Sequence, residues 1–301
     1  MTIIKDFFEL SSYPFISPYT FRLVSEWGIM HQADFQYCTH PLLHKIGNGI
    51  DFQRMQDGDK VFVVSDLLDA FFEKVHPEIP RKYILISARG DSSFSERYTK
   101  FLDDEKLIHC FSSNVSFSHP KLTAIPLGLQ NRHWRKYEHP QSNIKTLAKI
   151  AAEDIEKSGG ALLSFSIDTN VAVRKPVLDL FKNSEFVTNR QFNQTNRLDD
   201  KFVSEYFREI KRHKFVICPR GNGFDCHRNW ESLYLGSFPI VQNHVSYDQF
   251  RDLPIWFIDD WKEVDENSME KKYNELKEKS KNFSYEKLYM DYWLQKIWSS
   301  S

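Results

Sequence analysis

The chain has 301 residues, with 40 basic and 41 acidic side chains, a formal net charge of −1, and 15% aromatic residues. This length suits one large domain or two ordinary ones, and the even charge without a basic stripe argues against nucleic acid as a main partner. No uncharged stretch approaches the roughly 20 residues that span a bilayer, and the opening Met1-Thr-Ile-Ile-Lys-Asp-Phe-Phe has no signal-like apolar run, so the expectation is a soluble, cytoplasmic protein without membrane insertion.

The first sixty residues are rich in aromatics and turns and show no clear period. Beyond them, strands and helices alternate. Val61–Ser65 reads as a strand, followed by a helix over Leu67–Val75 with Ser65 or Asp66 as its N-cap. Tyr83–Ser87 reads as a second strand, running into Ala88-Arg89-Gly90-Asp91-Ser92 and a helical pattern to about Leu102. Leu107–Phe111 and Leu122–Pro126 add two more strands, the latter followed by Gly128. This alternation implies a mostly parallel sheet. Between about Asn131 and Gly160 the pattern breaks: His133, Trp134, Arg135 and His139-Pro140 precede a polar helix over Asn143–Lys157, the expected interdomain region. A second α/β run follows, with a strand over Ala161–Ile167, a loop over Asp168–Ala172, helices over Arg174–Phe181 and Asp200–Arg212, and strands over Phe215–Cys218, Phe238–Val241 and Pro254–Ile258. Met269–Lys281 reads as a charged, solvated helix. Tyr285, Leu288, Tyr289, Tyr292, Trp293 and Ile297 recur at helical spacing as an aromatic stripe that needs a packing partner.

The expected fold class is therefore α/β, with two Rossmann-like domains facing a cleft. Residues 1–145 form the first and residues 146–283 the second, and a C-terminal helix over 284–298 packs back on the first. Cys38, Cys110, Cys218 and Cys226 make no C-x-x-C pair and read as reduced thiols.

The stretch Lys214–Val241 is the most informative. A buried strand leads into Pro219-Arg-Gly-Asn-Gly-Phe-Asp-Cys-His-Arg228, then a short helix carrying Trp230, Leu233 and Tyr234, Gly236 to end it, and another strand. The loop lies at the carboxyl end of a strand and the amino end of a helix, where free N–H groups and the helix dipole favour anions. Arg220 and Arg228 are candidate phosphate ligands, and the alternative is that one pairs with Asp225 as a loop staple. Arg174, opening an earlier helix, reaches the same anion or is a surface arginine. Gly221 and Gly223, flanking Asn222, would let backbone approach phosphates closely. Asp225 either touches ligand or caps the helix. Glu231, on the first turn, can accept from ribose hydroxyls or compensate the helix dipole. His227 lacks companions at metal-ligand spacing, and Asp103-Asp104, Asp199-Asp200 and Asp259-Asp260 form no convincing metal pair, so neither metal nor cofactor is expected. Neither glycine loop reads G-x-G-x-x-G with a later acidic partner, which argues against a dinucleotide oxidoreductase.

These residues resemble the exostosin-like glycosyltransferase family. The likeness is carried by Phe215-Val-Ile-Cys-Pro-Arg-Gly-Asn-Gly-Phe-Asp-Cys-His-Arg-Asn-Trp-Glu231, Leu235-Gly-Ser-Phe-Pro-Ile-Val241 and Leu253-Pro-Ile-Trp-Phe-Ile-Asp-Asp-Trp261. Upstream, Ile125-Pro-Leu-Gly-Leu129 and Asp168-Thr-Asn-Val-Ala-Val-Arg174 add to it. It covers roughly residues 80 to 265. The resemblance implies a GT-B fold, a nucleotide-sugar donor in the C-terminal domain, a glycan acceptor in the N-terminal domain, and inversion at the anomeric carbon. Many members carry a membrane anchor that is not seen here; the chain is more similar to the compact exostosin-like enzymes of large algal DNA viruses, which include xylosyltransferases.

An inverting transfer needs a base for the acceptor hydroxyl. Asp91, just past a strand end, is the first candidate, with a helix N-cap as its alternative role, and Asp66 is the second. Arg89 is a possible contact to acceptor or diphosphate. The expectation is a metal-independent transferase using a UDP-sugar, with UDP-xylose the leading donor. A GDP-fucose-dependent fucosyltransferase and a non-catalytic carbohydrate-binding protein of the same fold are the rivals.

Overall fold

The computed structural model describes residues 14–29, 54–130, 142–190 and 200–300. The chain divides into two compact units, one of Met1–Leu127 with Tyr289–Ser301 and the other of Gly128–Leu288. His133, Trp134, Arg135, His139, Pro140, Cys38 and Asp199 lie outside the described residues.

In the first unit, a short helix α1 (Pro18–Leu23) starts at Ser17, whose hydroxyl accepts from Thr20 N. Five parallel strands follow in the order β1-β2-β3-β4-β5: β1 (Trp27–Ile29), β2 (Asp59–Val64), β3 (Tyr83–Ala88), β4 (Leu107–Ser112) and β5 (Leu122–Ala124). Every residue of β3 is buried, because a central parallel strand is covered on both faces. That is why it shows as a nearly continuous apolar run, with Ser87 its one polar residue. β1 and β5 are three residues long, too short to show a period, so β1 went unseen and β5 stops at Ala124 rather than Pro126. Helical turns run from Ser65 to Glu78 after β2. Neither expected cap serves them: the N-cap position falls on Val64 and no side chain caps it.

The second unit opens with α2 (Ser142–Ala152) and then alternates β6 (Gly159–Leu163), α3 (Val171–Phe181), β7 (Val187–Asn189), α4 (Asp200–Arg212), β8 (His213–Ile217), α5 (His227–Tyr234), β9 (Phe238–Gln242), β10 (Trp256–Ile258) and α6 (Glu266–Glu278). The strands are again all parallel, in the order β10-β9-β8-β6-β7. The chain steps from β6 to β7 on one side, then returns to lay β8 on the other. The connections therefore diverge between β6 and β8, the topological switch point where open α/β sheets leave a crevice at their carboxyl ends. Register pairs Leu163 with Ile217 there. Beneath it, Phe215 packs edge-on against Trp256 at 5.3 Å between ring centres, within a core that includes Leu163, Ile217, Ile240 and Trp261. α6 is charged, as expected, yet it buries Met269 and Leu276. Gly236, at φ +71, takes the left-handed turn that ends α5.

The expected helix over 284–298 is interrupted. Tyr285–Leu288 forms a short turn, and the helix proper is α7 (Met290–Trp298). Tyr289 is extended and bridges antiparallel to Phe15, while Met290 N donates to Pro14 O at 2.9 Å. A strand-like pairing at that point breaks the helix. The buried face is Met290, Trp293, Leu294 and Ile297, whereas Tyr285 and Tyr289 are exposed. Among the described residues, no helix is long and apolar enough to cross a membrane.

Candidate functional site

The switch point of the second unit is lined by arginines. Arg228 stands on the first turn of α5 and is 7% exposed. Its Nε and Nη1 atoms are buried without a hydrogen-bond partner, and among the described residues it forms no ion pair. A guanidinium is charged at any ordinary pH, and burying one without a partner is costly. Its carbon lies 5.7 Å from the centre of the Phe165 ring, just past β6, and so does that of Arg174. Two guanidinium groups thus converge on one ring at the end of the strand that begins the crevice.

Arg174 is 4% exposed, so it is not a surface arginine. Its Nε donates to Arg220 O at 3.1 Å and its Nη1 to Ser166 O at 2.7 Å. It ties the loop after β8 to the loop after β6 across the switch point, and its charge stays in the crevice. Asn170 assists: its Oδ1 accepts from Val173 N at the start of α3, and its Nδ2 donates to Gly221 O at 2.8 Å. A Cβ at Gly221 would crowd this contact, standing 3.1 Å from Arg174 Nη2 and 3.2 Å from Thr169 Cγ2. The glycine makes room for Arg174. Arg220 is half-buried, with its guanidinium 5.2 Å from the centre of Phe224, which stacks on His244 at 3.5 Å. Burial, and then the charge of Arg220, lower the pKa of His244. Asn222 is exposed and Gly223 buried.

Asp225 is a structural residue of this loop. Its Oδ1 accepts from Cys226 N at 2.8 Å and Asn229 Nδ2 at 2.9 Å, and its Oδ2 from Trp230 Nε1 at 2.7 Å. Neither Arg220 nor Arg228 forms an ion pair with it among the described residues, so the alternative of an arginine staple gives way to one built from Cys226 N and the side chains of Asn229 and Trp230. Cys226 occupies the N-cap position without a side-chain cap, which leaves the first N–H groups of α5 directed into the loop. His227 Nδ1 lies 2.8 Å from Gly128 O; a carbonyl only accepts, so this nitrogen carries the proton. Gly128 has φ +68.

Glu231 is buried, 8% exposed, and its Oε2 accepts from Tyr206 Oη at 2.9 Å. Tyr206 comes from α4. Burial, and then the charge of Glu231, hold its pKa well above the ordinary value. Sequence reading missed Tyr206, one aromatic among several on an amphipathic helix, and also Phe165 and Asn170. Only Asn170 gave a local signal, a good N-cap residue just before a helix.

In the first unit, Arg89, Asp91 and Asp66 meet at the carboxyl edge of the sheet. Asp66 Oδ1 accepts from Asp91 N at 3.1 Å and Ser92 N at 3.0 Å. This carboxylate clasps the loop after β3. Gly90 permits the approach, since a Cβ there would lie 2.7 Å from Asp66 Oδ1 and 2.3 Å from Ser65 Oγ. Arg89, 7% exposed, has φ +69, a conformation costing about 1–3 kcal/mol in a residue with a side chain. Asp91 is exposed and does not cap a helix, because the next helical turn begins at Glu96.

Among the described residues, no group of three or more His, Cys, Asp or Glu side chains could hold a metal ion. Two of the acidic pairs have local duties: Asp104 accepts from Lys106 N at 2.8 Å, and Asp260 caps the turn at Trp261. The chain matches no protein-family model, and no curated protein matches it.

Proposed function

We propose that the protein is an inverting glycosyltransferase of GT-B architecture that moves a sugar, xylose foremost, from a UDP-sugar to a hydroxyl of a glycan acceptor, without a metal. The observation that carries this reading is the buried guanidinium of Arg228, with two N–H-bearing atoms unpartnered, at the amino end of α5 beside the switch point. A diphosphate leaving group gains charge as the glycosidic bond breaks. Fixed donors in a dry site stabilise that charge most in the transition state. Arg228 and the helix N–H groups face the diphosphate, with Arg220 contributing from the loop and Arg174 acting through its charge and its hold on the loop. Glu231 accepts from ribose hydroxyls. Asp91 accepts the proton of the attacking hydroxyl.

The test is to incubate the protein with UDP- and GDP-sugars, with and without glycan acceptors, and to measure free nucleotide. Acceptor-dependent UDP release that persists in EDTA is expected. GDP release from GDP-fucose alone would make the protein a fucosyltransferase. A donor-induced rise in melting temperature with no release would make it a carbohydrate-binding protein, and loss of activity in EDTA restored by manganese would refute metal independence.

A further inference from the structure

We propose that Tyr206 is the positioning residue that sets ribose recognition, by holding the Glu231 carboxylate from behind α5. This inference rests on the nucleotide-sugar reading given above. The two residues come from α4 and α5, the helices before and after β8 in the chain, and their link at 2.9 Å joins Tyr206 Oη to Glu231 Oε2. A carboxylate accepts through two oxygens with about four lone-pair sites. Holding one oxygen restricts the rotation of the group, and so biases the direction in which it meets the paired hydroxyls of a furanose ring. A phenylalanine would fill the same space without bringing a hydroxyl into a buried region, where an unserved polar group is costly. Tyr206 remains a donor across neutral pH, because burial and the adjacent carboxylate both oppose its ionisation. The neighbouring Arg228 supplies the phosphate-binding charge, so the site has two separable parts: an arginine for the anion and a tyrosine-held carboxylate for the sugar of the nucleotide.

That separation makes the inference testable by calorimetry with UDP, its 2′-deoxy and 3′-deoxy analogues, and inorganic pyrophosphate. Tyr206→Phe should weaken UDP about tenfold, because the Glu231 carboxylate loses the charged-group hydrogen bond that holds it. It should narrow the preference for UDP over the deoxy analogues and leave pyrophosphate affinity unchanged. Glu231→Gln, which keeps Tyr206 in place, should narrow the same preference. If Tyr206→Phe retains full discrimination between UDP and the deoxy analogues, or weakens UDP and pyrophosphate equally, the assignment is overturned and the residue is only a packing element. If the wild-type protein binds pyrophosphate but not UDP, the nucleotide reading itself falls, and the assignment with it.

Discussion

Replacing Arg228 with methionine separates binding from folding. The arginine is 7% exposed, its Nε and Nη1 have no hydrogen-bond partner, and among the described residues no carboxylate forms an ion pair with it. Methionine fills a similar volume and removes the charge. For the fold, two effects oppose each other: the cost of an unpaired buried cation disappears, and so does its favourable field on Glu231. A buried charge without hydrogen-bond partners is costly to keep, so a well-packed apolar group in its place offsets much of the lost field. The ligand-free melting temperature should therefore stay within a few degrees of wild type. For the ligand, hydrogen bonds to charged groups contribute about 1.5–3 kcal/mol each. Losing a two-pronged contact removes about 3 kcal/mol, which is on the order of a hundredfold in affinity. Calorimetry with UDP and a thermal melt on the same preparation read both quantities. Arg228→Lys should fall between the two proteins, since it keeps the charge but loses the planar fork. The reasoning is refuted if the methionine variant binds UDP within about threefold of wild type, or if its affinity falls only alongside a large drop in melting temperature.

Two further predictions concern the first unit. Asp66→Ala should release the Asp91 and Ser92 amides to rapid hydrogen exchange and lower turnover about tenfold or more with donor affinity unchanged, whereas Asp66→Asn keeps an acceptor oxygen and should restore both; an asparagine variant as inactive as Asp91→Asn would instead make Asp66 the base. His109 has its pKa lowered by burial, and then by the charges of Lys296, His119 and Lys121, from its ordinary 6.5 to about 4. The unfolded chain takes up this proton first, so stability is complete above pH 6.5 and declines as pH falls towards 4, by about 2 kcal/mol after allowing for partial exposure. His109→Gln should flatten denaturant-measured stability over that window, and an unchanged slope would show that the histidine does not titrate this way.

Much of the architecture is local in origin. β3 and β8 are visible because a central parallel strand is covered on both faces and carries a run of apolar residues, Tyr83–Ile86 and Phe215–Ile217 here. The start of α3 at Asn170 and the end of α5 at Gly236 follow from side-chain and backbone preferences acting within a few residues. Where the pattern is short, as in β1 and β7, no period exists to be read. Where a distant segment intervenes, as Phe15 and Pro14 do at Tyr289 and Met290, a helical spacing gives way to strand-like pairing.

The candidate site divides along the same line. That arginines, glycines and acidic residues crowd a strand–loop–helix turn is written in consecutive residues, and so is the affinity of such a turn for anions. Their separate duties are not. Arg174 is committed to carbonyls 8 and 46 residues away, Asp225 to the side chains of α5, and Asp66 to amides 25 and 26 positions on. Tyr206 reaches Glu231 across 25 residues. Composition and spacing decide which chemical groups are present and which short elements carry them. The order of strands in the sheet decides which groups meet, because hydrogen bonds and ion pairs depend on distances of about 3 Å that only the folded backbone sets.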